Sequence, residues 1–170
     1  MHQEKNMEKI DETLRSAKKL LRSLDETDYN IESYCDHLIY HLNQLNYYYK
    51  FIKNKNYKLK MKINAHDLIY VNFGKGFPKE IMDGHWCYVL RNYGDKLLVV
   101  PCTKAQSTIN YNEKYKFKIT VLDKDNQYLE FFLQLTDLRG IDIQRIYSKK
   151  GKKTVITEKE EILNFIYGGN

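Results

Sequence analysis

The chain has only two prolines, eight glycines and three cysteines in 170 residues. So few helix breakers leave no room for a long flexible linker. Cys35, Cys87 and Cys102 are odd in number, and none stands in a C-x-x-C spacing. That argues against a zinc knuckle or a disulfide framework and fits a reducing cytoplasm. No apolar run approaches the roughly 20 residues that span a bilayer. Met1 to Ile10 is polar and lacks the apolar stretch of a secretory signal. Arginine is scarce as well, with 5 residues against 23 lysines.

What is abundant is aromatic and basic. Aromatics make up 14% of the chain, 15 of them tyrosine, within a hydrophobic share of 42%. A disordered tail has few aromatics, so this sequence can bury a core. The net charge of +6 favours anionic partners, nucleic acid first.

Two periods divide the chain. Met7, Ile10, Leu14, Ala17, Leu21 and Leu24 recur every three or four residues, one stripe on a helix. After a polar turn in which Thr27 or Asp28 can cap, Cys35, Leu38, Leu42, Leu45, Tyr49 and Ile52 repeat the pattern. Residues 1–60 therefore read as an antiparallel helical hairpin that must pack on something else. Beyond Lys62 the period becomes two. Strands are expected over Asp67–Phe73, Trp86–Leu90, Lys96–Val100 (stopped by Pro101), Lys114–Val121, Gln127–Leu133 and Lys152–Ile156. Asp123–Asn126 reads as a hairpin turn. Thr157–Glu160 has the form of a capping box, opening a last helix that ends at Gly168-Gly169. Many short strands and one terminal helix suggest a strongly bent sheet or partly open barrel over 63–170.

Four segments in order carry a resemblance. They are His66-Asp-Leu-Ile-Tyr-Val-Asn-Phe73 with the loop Gly74–Glu80, then His85-Trp-Cys-Tyr-Val-Leu90, Val99-Val-Pro-Cys-Thr-Lys104, and Thr136-Asp-Leu-Arg-Gly-Ile-Asp-Ile-Gln-Arg-Ile146. Together they resemble the MazF/PemK family of toxin endoribonucleases over about a hundred residues. The resemblance implies an α+β fold, an SH3-like small barrel (MazF/CcdB-like) with helices. It also implies a ribonuclease that needs no metal or other cofactor, in which the RNA 2′-hydroxyl attacks the adjacent phosphate. The products are a 2′,3′-cyclic phosphate and a 5′-hydroxyl. A cognate antitoxin and a homo-oligomeric state are implied too. The His-aromatic pair at 85–86, the long N-terminal extension and the lysine-rich surface are similar to the ToxN/AbiQ/CptN-like type III subgroup. There the antitoxin is a repeated RNA pseudoknot rather than a small protein.

The family's arginine before proline is here His85 before Trp86, so its role must pass to other residues. Transesterification needs a base, an acid and donors to the phosphate oxygens. Histidine, with a reference pKa of about 6.5, serves either proton-transfer role. Thr103 matches the family's catalytic threonine as a phosphate donor. Lys75 is the third catalytic candidate, as a cation facing the transition state. Lys79, Trp86, Lys104, Ser107 and Arg139 form the expected substrate-binding set, with Arg139 holding a neighbouring phosphate.

Ordinary readings compete with these. A histidine opening a strand is usually a hydrogen-bonded structural residue, and Thr103 after Pro-Cys is common turn chemistry. Gly74-Lys-Gly76 lacks the Walker spacing and reads as a flexible loop or lid. His37 and His41 stand four apart on a helix without a third ligand, so no metal is expected. Tyr47–Tyr49 and the lysines that follow suit stacking on single-stranded RNA, or simply a solvated helix end. Lys114, Lys116 and Lys118 mark an outward strand face that guards an edge or tracks a phosphate backbone. Two functions outside the nuclease class stay open: a non-catalytic toxin that binds DNA gyrase (CcdB-like), and a plain RNA-binding protein.

Overall fold

The structure is a computed structural model that describes residues 2–24, 30–48, 61–77, 79–105 and 115–168. The chain divides into two compact units, Met1–Asn43 and Gln44–Asn170.

The first unit is helical. Helix α1 (His2–Arg22) starts earlier than the apolar stripe alone suggests. Helix α2 (Ile31–Tyr47) is capped by Asn30, whose Oδ1 accepts from the Ser33 N–H at 2.7 Å. Thr27 and Asp28, the capping candidates, lie outside the described residues, as do Tyr49, Ile52 and most of the lysine run. The stripes have the expected helical spacing, but Ile10 and Leu14 on α1 and Leu38 and Leu42 on α2 are exposed.

Among its described residues the second unit contains seven strands, all paired antiparallel. They are β1 (Asp67–Asn72), β2 (Gly84–Asn92), β3 (Lys96–Lys104), β4 (Lys116–Leu122), β5 (Tyr128–Gln134), β6 (Arg139–Asp142) and β7 (Lys152–Val155). The ring β2-β1-β7-β4-β5-β3 returns to β2, so six strands close a barrel, while β6 lies beside β3. Closure removes the free edges an open sheet would leave. Helix α3 (Lys159–Tyr167) follows and adds Ile162 to the core.

Two hydrophobic clusters form on opposite faces of the same strands. Leu68, Tyr88, Val100, Ile119, Val121 and Leu133 point into the barrel. Ile69, Val71, Cys87, Val89, Leu97 and Val99 point outward and are covered by Ile141, Ile143 and Ile146. A strand buried on both faces loses its alternation. This is why β1 to β3 read as near-continuous apolar runs, whereas β4 shows clean alternation.

Three local expectations need correction. Pro101 does not stop β3. On one edge β3 pairs β6 over Lys96–Val99 and β5 over Cys102–Lys104, so Pro101 falls at the changeover, where that edge has no ladder partner. Thr157 does not close a capping box. Its hydroxyl accepts from the Thr120 N–H at 2.8 Å, tying the start of α3 to β4. The lysines of β4 guard no edge, because β4 sits between β7 and β5, and Lys118 bonds Glu130 at 2.9 Å. Lys114 lies outside the described residues.

Candidate functional site

The site grows from the ends of β2 and β3. Trp86 pairs with Cys102, the last rung of that ladder. One residue beyond that rung stand His85 on β2 and Thr103 on β3, at the adjoining ends of the two strands. Both belong to the outward face, because alternation groups His85 with Cys87 and Thr103 with Val99. The Phe73 ring lies 6.4 Å from the His85 ring between centroids. The Arg139 guanidinium stands 5.2 Å over Phe73, with Asp137 at 4.0 Å. Two expected site residues, His85 and Arg139, thus flank Phe73, and alternation puts Thr103 on the same face.

On the inward side the same strand ends open a cleft of about 560 Å³. Consecutive residues of both strands line it, Gly84 to Trp86 and Cys102 to Lys104, so the cleft takes in His85 and Thr103 as well. Its apolar wall is Tyr70, Trp86, Leu129 and Phe131, and its cations are Lys104, Lys116 and Lys153. Tyr70 and Trp86 meet edge to face at 5.5 Å. The Tyr70 hydroxyl donates to the Gly84 carbonyl at 2.9 Å, a closure that only glycine permits, since a Cβ at 84 would collide with the phenol.

The remaining candidates sit elsewhere. Lys75 is mostly buried and bonds Asp83 at 2.8 Å, so its charge is committed to closing the Gly74–Glu80 loop. That loop is cinched at its base: the Phe73 N–H donates to the Asp83 carbonyl and the Asp83 N–H to the Gly74 carbonyl. Arg145 reinforces it with a 2.8 Å bond to the Phe73 carbonyl. Lys79 is exposed and does not line the cleft. Ser107 lies outside the described residues.

Cysteine chemistry is excluded at the cleft. Burial pushes the Cys102 thiol up to about 12, and it raises Cys87 well above its usual value, so neither is a thiolate at neutral pH. Among the described residues no three metal-binding side chains converge. Tyr70, Lys116, Leu129, Phe131 and Lys153 were not foreseen from sequence. Tyr70 stands opposite Trp86 across β1–β2, Lys116 comes with the β4–β5 hairpin, and Leu129, Phe131 and Lys153 arrive through the long-range β3–β5 and β1–β7 pairings.

No protein-family model and no curated protein matches the sequence. The closed antiparallel barrel with its helices is compatible with a MazF/CcdB-like fold.

Proposed function

We propose that this protein is a cytoplasmic endoribonuclease toxin that cuts RNA by 2′-hydroxyl attack and is neutralised by an antitoxin. What supports the reading is that β2 and β3 pair as far as Trp86 and Cys102, so the strand ends that carry His85 and Thr103 lie side by side, on the fold that the sequence resemblance implies. In this reaction the RNA O2′ forms a bond to phosphorus while the bond to the 5′-oxygen breaks. The proton leaves O2′ and another reaches the departing oxygen, and His85 serves one of these transfers. The Thr103 hydroxyl donates to a non-bridging oxygen, where charge builds up. Arg139 approaches from the same face and balances phosphate charge, the part taken elsewhere in the family by the arginine that this chain replaces with His85. Trp86 and Lys104 bind substrate from the cleft side. Lys75 has no part in the step, being held by Asp83.

The test is incubation of the purified protein with a long RNA in EDTA, followed by analysis of the product ends. Discrete fragments bearing 2′,3′-cyclic phosphates and 5′-hydroxyls are expected, and a 2′-deoxy residue at a cut position should block that cut. Intact RNA, or products with 5′-phosphates, would overturn the reading.

A further inference from the structure

The cleavage chemistry uses the outward face of β2 and β3, yet the inward cleft has a composition of its own. Lys104, Lys116 and Lys153 line it, and among the described residues no carboxylate does. The Lys153 ammonium stands 4.8 Å over the Trp86 ring and 3.9 Å from Asp123. On the neighbouring ring, Lys150 lies 3.5 Å over Tyr70. A lysine resting on an indole face is an exchangeable cover. A nucleobase can take its place by stacking, while the ammonium turns to the phosphate attached to that base. The volume of about 560 Å³ lies within the range of small-ligand sites and leaves room for a base with its sugar and phosphate.

We propose that the cleft is a nucleotide subsite for single-stranded RNA. The base stacks on Trp86 beside Tyr70, and Lys104 and Lys153 hold its phosphate. This rests on the reading above, because Trp86 and Cys102 are the immediate chain neighbours of His85 and Thr103. A base seated on Trp86 therefore belongs to a nucleotide adjoining the scissile phosphate, and the subsite selects where the chain is cut. Gly84 is part of the device: it lets Tyr70 close the wall beside the indole.

Trp86 is the sole tryptophan, so its fluorescence reports on this cleft alone. The probes are a short single-stranded 2′-fluoro RNA, which has no attacking hydroxyl, and inorganic polyphosphate, which has charge but no bases. Saturable quenching by the RNA and little change with polyphosphate are expected. Lys104→Gln and Lys153→Gln should each weaken the RNA titration, and Trp86→Leu, followed by the anisotropy of a dye-labelled form of the same RNA, should weaken binding on the order of tenfold. Lys104 is exposed, so its substitution leaves the barrel folded. Equal quenching by polyphosphate, or RNA binding that leaves Trp86 unchanged, would overturn the subsite. Quenching in a protein that cuts no RNA would keep the subsite and remove the nuclease. Cleavage with an unresponsive Trp86 would do the reverse.

Discussion

His66 shows how one side chain can make the barrel sensitive to pH. Its backbone is left-handed, with φ of 77°, and its Nδ1 lies 3.1 Å from the buried Tyr88 hydroxyl. Burial lowers its pKa from 6.5, Lys159 lowers it further, and Asp67 and Glu158 oppose the shift. A histidine kept neutral in the fold but free to charge when unfolded loses stability as protons are added. The barrel should therefore weaken as pH falls below 6.5, through the interval down to the lowered native value. Urea midpoints measured across this range check the slope. His66→Asn, which tolerates the left-handed backbone, should flatten it. The Tyr88 hydroxyl, raised to about 12 by burial, stays protonated throughout.

At the start of β2, glycine is chosen by its neighbour. A Cβ at Gly84 would drive into the Tyr70 phenol, break its bond to the Gly84 carbonyl and disturb the wall beside Trp86. Gly84→Ala should cost about 1 kcal/mol or somewhat more, read as a shift in the denaturation midpoint, and should alter Trp86 fluorescence. The β4–β5 hairpin depends on a similar local bond. Asp123 Oδ1 accepts from the Asp125 and Gln127 N–H groups at 2.9 and 3.1 Å. These bonds, more than the nearby Lys153 and Lys124, hold its carboxyl below the usual range. Asp123→Ala should lower the denaturation midpoint in the same assay.

Strands such as β4 and β5 were legible because alternation and an Asp-rich turn sit within a few residues. Where sequence misled, a distant strand had claimed the group in question. Thr120 took the Thr157 hydroxyl, and the β6-to-β5 changeover accommodated Pro101. The adjoining strand ends that carry His85 and Thr103 follow from two strands in one hairpin, and motif order pointed to them. Lys153 could not be foreseen, since the long-range β1–β7 pairing brings it to the cleft.

The closed ring places two hydrophobic clusters back to back across β1, β2 and β3, so one fold supports both a packed lumen and an outer layer under β6. Leu133 is fully buried in the lumen. Leu133→Ala should destabilise the barrel by about 2–5 kcal/mol, visible as an early unfolding midpoint, because closed strands cannot collapse easily into the cavity. The same closure fixes the strand ends that carry His85 and Thr103, so the pair sits on a rigid frame rather than on a loop.

The most direct test of the account compares cleavage of one RNA in EDTA by the wild type, His85→Ala and Thr103→Val, each shown to be folded by circular dichroism. Loss of about 100-fold or more in rate for both variants is predicted. Cutting by either variant at the wild-type rate would contradict the assignment of this strand pair as the catalytic centre.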